Sequence, residues 1–117
     1  MDEQQRTRLV QAGVDLEGGL ERFMGNEALF LKCLRRFPTD TSFQQLEDAL
    51  SAGDLDGAFM AAHTLKGVSG NLSLDAVFHA CLPVVEALRC GRREEAEAAM
   101  PALRNSYHTA VLVLSEE

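Results

Sequence analysis

Residues 55–74 read LDGAFMAAHTLKGVSGNLSL. Gly53 and Asp54 stand just before them as a chain stop and a fresh helix cap. From Leu55 to about Asn71 the apolar residues Leu55, Ala58, Phe59, Ala62, Leu65 and Leu72 return on one side at helical spacing. The stretch is therefore predicted to be one amphipathic helix. Downstream, Ser73 is placed to cap a second helix with the stripe Leu74, Val77, Phe78, Cys81, Val84, Val85 and Leu88, closed by Gly91. A third runs from Arg93 to Leu114 and buries Ala96, Ala99, Met100, Leu103, Tyr107, Ala110, Val111 and Leu114. Pro83 and Pro101 fall away from these stripes, so they should bend the helices on their outer sides.

Upstream the same reading holds with weaker signals. Phe43, Leu46, Ala49 and Leu50 form a stripe out of phase with Leu29, Phe30, Cys33, Leu34 and Phe37. Pro38 between them marks a kink or short break, with Thr39 or Asp40 to recap. Asn26 should cap the earlier helix and Asp15 the one before it, where Leu16, Leu20, Phe23 and Met24 line up until Gly25. Asp2 to Ala12 is expected to form a short or frayed helix. Aromatic residues are 6% and there is no Trp, which favours helices over sheets. Short loops make consecutive helices antiparallel neighbours. The fold class expected is all-α: an up-down-up-down four-helix bundle with one or two short N-terminal helices, as a single domain over 1–117.

The balance of 18 Asp+Glu against 11 Lys+Arg gives a formal charge of −7. Such a chain lacks the basic stripe that nucleic acid or an anionic membrane would require. No apolar run approaches the ~20 residues of a membrane span, and MDEQQRTRLV has no apolar signal core. A cytoplasmic location is expected. Cys33, Cys81 and Cys90 form no CxxC and read as reduced thiols, two of them at apolar helix positions.

His63 lies roughly 120–130° around the helix from the apolar centre at Ala58, Ala62 and Leu65. It should point outward. Gly67 and Gly70 follow on the same stripe, although each Gly costs about 1 kcal/mol against Ala in a helix interior. Lys66 stands one turn on as a local cation, and Phe59 and Met60 flank the stripe one turn earlier. An exposed imidazole, a cation, cleared space and an apolar rim are what a histidine needs to carry a phosphoryl group.

With these residues in view, AAHTLKGVSGNLSL resembles the signature of histidine-containing phosphotransfer (HPt) domains: a His, any residue, an aliphatic residue, Lys and Gly. Gly13 to Phe37 and the ALSAGDLDGAFMAAH approach to the histidine are similar to that family as well. The resemblance implies a bundle in which His63 accepts phosphate, Lys66 compensates its charge and Gly67 leaves clearance; the apolar area of Phe59 and Met60, and Gly70 on the His63 stripe, are expected from their positions to face the partner. The resemblance implies relay between aspartates of receiver domains, or with a hybrid sensor histidine kinase; a bundle complete in one chain makes a monomer the expected state. It implies no cofactor in the chain itself and Mg²⁺ in the receiver. Family members often hold the imidazole with a Gln or Glu on the following helix. By counting, that position is Val85, with Glu86 beside it. The chain has neither GxxxxGK[ST] nor GxGxxG, so no nucleotide site is expected.

Three other readings compete. A bundle metal site would use Glu-x-x-His, but Met60, Ala76 and Asn105 stand three before His63, His79 and His108. His79 and Cys81 fall on different faces. The dimerisation domain of a sensor kinase typically has an acidic residue after its His, where this chain has Thr64. A plain interaction module would leave His63 without a chemical role.

Overall fold

Local sequence sets most of the helix boundaries. In the computed structural model, which describes residues 1–117, α1 spans Glu3–Gln11, α2 Leu16–Arg22, α3 Glu27–Arg36, α4 Ser42–Ser51, α5 Leu55–Asn71, α6 Asp75–Arg89 and α7 Arg93–Ser115. A 3₁₀ turn occupies Phe37–Thr39 between α3 and α4. Short polar side chains begin four of the helices. Asp2 accepts from the Gln5 N–H, Asp15 from Gly18, Asn26 from Leu29 and Asp54 from Gly57. Each satisfies a donor that the first helical turn would leave unpaired, a contribution of about 1 kcal/mol. Gly53 and Gly91 carry φ of 73° and 68°. That left-handed backbone is where α4 and α6 stop, and it suits glycine.

The bundle is α4 to α7. Consecutive helices pack antiparallel, α4 on α5, α5 on α6 and α6 on α7. The circuit closes between α4 and α7. The rings of Phe43 and Tyr107 stack at 4.1 Å and 11°. Arg104 donates to Glu47 at 3.0 Å, and Arg93 donates to the Leu50 carbonyl at 3.2 Å. One apolar cluster of 26 residues runs from Leu9 to Leu114, so the N-terminal helices share their core with the bundle. They are tied to it in two further places. Glu117, at the end of α7, accepts from Gln5 at 2.6 Å and from Arg8 at 2.9 Å, both on α1. An isolated bridge joins Val14 to Leu74.

Several expectations change here. Three short helices precede the bundle, where one or two were expected; of the kink or short break expected at Pro38, the break is what forms, and it separates α3 from α4. Asp40 recaps by accepting from the Ser42 N–H at 2.9 Å. Ser73 is no cap. Its φ is 55°, it is buried, and its carbonyl accepts from the Asp15 N–H at 2.8 Å. The first turn of α6 is met instead by the Gly13 carbonyl, which accepts from the Ala76 N–H at 3.2 Å. Met24 does not join an apolar face: α2 ends at Arg22, and Met24 lies in the turn with 93% exposure. On α3 the buried stripe is Phe30, Leu31 and Leu34, followed by Phe37, while Leu29 is exposed and Cys33 only half-buried. The α3 stripe is thus rotated toward Leu31, the direction in which the shared core lies. Pro83 and Pro101 are both exposed, on the outer sides of α6 and α7. No helix is long and apolar enough to cross a membrane.

Candidate functional site

The α5 helix divides along its length. Ala58, Ala61, Ala62, Leu65 and Ser69 are buried, while His63, Thr64 and Gly67 are exposed. The one polar side chain among the buried set is satisfied within the helix, since the Ser69 hydroxyl donates to the Lys66 carbonyl at 3.1 Å. His63 thus projects outward from the middle of a rigid helix that four short-chained residues seat firmly in the core.

Side chains on a helix lean toward its N-terminus, so each covers the turn before its own Cα. His63 therefore leans toward Phe59. The two rings lie 5.9 Å apart between centroids at 17°. Met60, beside Phe59, is 64% exposed. By the same rule, a side chain at position 67 would lean over His63. Gly67 has none, and a Cβ built there meets no atom within 4 Å. The space on the exposed strip one turn beyond His63 is open. Gly70 differs. A Cβ there would lie 3.2 Å from the Phe78 ring, so its missing side chain is explained by the packing of α5 on α6. Lys66 is half-buried, on the strip between the core and His63.

Two contacts fix the antiparallel register of α5 and α6. Gly70 meets Phe78, and Arg89 stands over the Phe59 ring at 6.0 Å. On that register Val85 is level with His63, and Leu82 is level with Lys66. Phe78, Leu82, Val85 and Arg89 form one strip of α6 at three- and four-residue spacing. Val85 is buried and purely hydrocarbon. Glu86 is engaged elsewhere, in an ion pair with Arg89 and as acceptor from the Cys90 thiol at 3.7 Å. Neither residue holds the imidazole, and no side chain or backbone group hydrogen-bonds to it. Leu82, the exposed apolar residue of this strip, and Arg89 are site neighbours that sequence reasoning missed. The signal for Leu82 was an apolar residue outside the buried stripe of α6.

The electrostatics are simple. Burial pushes the Cys81 thiol up to about 12, and the Lys66 charge opposes this in part. Cys81 is thus a protonated core residue. The other histidines have structural surroundings. The His79 Nδ1 lies 2.8 Å from the Asp75 carbonyl, and His108 packs edge-on to Phe43.

Among known families, the model of the Hpt domain matches residues 39–111. The chain belongs to the Hpt family. The matched stretch takes in α4, α5, α6 and most of α7, and with them His63, Lys66 and Gly67. Hpt domains are helical bundles that serve as phosphotransfer modules of two-component systems, as phosphocarriers rather than ATP-dependent kinases. Gly13 to Phe37 lies ahead of the matched residues. Comparison with curated proteins and with solved structures gave no match.

Proposed function

We propose that this Hpt domain relays a phosphoryl group between receiver-domain aspartates through a phosphohistidine at His63. The observation that carries the proposal is the open space one turn beyond an outward imidazole: His63 is exposed in mid-helix and Gly67 puts no side chain on its strip. Lys66, one turn on, is the cation nearest in sequence to the phosphoryl group. Met60 and Leu82 offer exposed apolar area on either side of the His63 strip for a docked partner.

The transfer needs a ring nitrogen without a proton, assigned here to Nε2. Its lone pair attacks the phosphorus of a receiver aspartyl phosphate in line with the bond to be broken. The N–P bond forms. The P–O bond to the aspartyl group breaks, and its electron pair leaves on the carboxylate. The ring proton stays on the other nitrogen. Lys66 screens the phosphoryl oxygens, and the Mg²⁺ of the reaction belongs to the receiver's acidic pocket. The reverse step, onto the same or a second receiver, completes the relay. Positioning and charge compensation are the whole of the catalytic task for the donor.

The partners are receiver domains, alone or within a hybrid sensor kinase. The domain acts as a monomer, a reading supported by a bundle whose four helices close on one another within one chain. The three unpaired cysteines suit the reducing cytoplasm. The test is phosphate uptake in two mixtures. Radiolabelled ATP and Mg²⁺ alone should label nothing, whereas adding a phosphorylated receiver should transfer label to the chain. Labelling from ATP alone would overturn the carrier reading.

A further inference from the structure

The imidazole of His63 has no hydrogen-bond partner, and the residue level with it on α6 is the hydrocarbon Val85. Something else must limit its rotamers if the ring is to present one nitrogen to an incoming phosphorus. Phe59 is the group in contact. It lies one turn earlier on the side toward which His63 leans, with the rings near-parallel at 17° and 5.9 Å. That separation lies within the range of offset aromatic pairs. Phe59 is itself held. It is half-buried, packs against the core, and has the Arg89 guanidinium over its ring at 6.0 Å, with that guanidinium paired to Glu86.

We infer that Phe59 is a positioning residue: its ring fixes the orientation of the His63 imidazole, a task that no acid or amide on α6 performs in this chain. The inference rests on the phosphotransfer reading for its kinetic consequence and is independent of it for its spectroscopic one. A ring that confines the imidazole raises the fraction of molecules ready for in-line attack. It acts on the transfer step, whereas a residue serving only the docked partner acts on affinity.

The experiment compares Phe59→Leu and Phe59→Tyr with the wild-type chain. Phe59→Met is a second aliphatic variant if Leu perturbs the α5–α6 seam, and the amide spectrum and unfolding midpoint serve as fold controls. Two quantities are read: the NMR shifts of the His63 ring protons, and phosphate uptake over a range of phosphorylated-receiver concentrations. In Phe59→Leu the His63 ring protons should move toward the shifts of free histidine as the ring current is lost. The maximal transfer rate should fall roughly threefold to tenfold, with the half-saturating receiver concentration unchanged. Phe59→Tyr should restore both. Unchanged His63 shifts in Phe59→Leu would overturn the positioning role, as would a rise in half-saturating concentration at full maximal rate. A wild-type chain that takes no phosphate from any receiver would instead refute the phosphotransfer reading itself.

Discussion

Gly67 stands one helical turn beyond His63 on the same exposed strip of α5, and the volume its side chain would fill is empty to at least 4 Å. The side chains of a helix lean toward its N-terminus, so a longer side chain here would reach back toward the imidazole. A glycine in mid-helix lowers stability, and here no neighbouring atom requires its smallness. The two facts together favour a role in access over a role in packing.

Stability and transfer should accordingly move in opposite directions at this position. Gly67→Ala adds a methyl to open space and should raise unfolding free energy by about 0.5–1 kcal/mol. It should slow phosphate uptake at the same time, and Gly67→Leu should slow it further. Chemical denaturation and single-turnover labelling check the pair. Full transfer rate in Gly67→Leu would remove the clearance role.

Lys66 should act through its charge. Lys66→Ala should reduce the transfer rate roughly threefold to thirtyfold, the span for a half-exposed charge acting over a few ångströms. Lys66→Arg should recover most of the loss. Added salt should slow the wild type more than Lys66→Ala, since screening weakens only a charge that is present. Rates measured between low and high ionic strength decide the matter. Equal salt dependence in the two proteins would argue against charge compensation.

The thiols should separate by burial. Cys90 is exposed, Cys33 half-buried and Cys81 buried, so a thiol reagent should modify them in that order, reaching Cys81 only on unfolding. Burial pushes Cys81 up to about 12 from an ordinary value of 9.0. A thiol that stays protonated in the folded state but ionises in the unfolded one favours unfolding as pH rises. Its stabilising share is complete below about pH 9 and is lost progressively toward pH 12, by about 1 kcal/mol at pH 10. Burial, and then the charge of Asp40, raises Tyr107 in the same sense. Cys81→Ala should therefore be less stable at pH 8, yet lose less stability between pH 8 and pH 10 than the wild type. Denaturant titrations at both values check this.

Much of the site was legible in sequence because it is a single helix. Asp54 caps α5 through its own side chain, Gly53 stops the helix before it, and the 3.6-residue period alone places His63 outward. What failed depended on contacts distant in sequence. Ser73 has a good capping side chain, but its backbone is drawn into the left-handed region, with its carbonyl bonded to Asp15 from the other end of the chain. The α3 stripe turned toward Leu31 because the side on which the core lies is a tertiary fact. The same holds for Arg89 over Phe59. Spacing puts Phe59 under His63, but only the register of α5 and α6 brings Arg89 to that ring and Val85 level with the imidazole.

Mapping the phosphorylated residue is the most direct test of the central claim. The chain and its His63→Gln variant are incubated with a phosphorylated receiver domain and analysed intact and as peptides, under neutral and then acid conditions. The wild type should gain one acid-labile phosphate in the peptide carrying His63, and His63→Gln should gain none while keeping its fold. Acid-labile phosphate on His63→Gln, or on His79 or His108 of the wild type, would contradict the account.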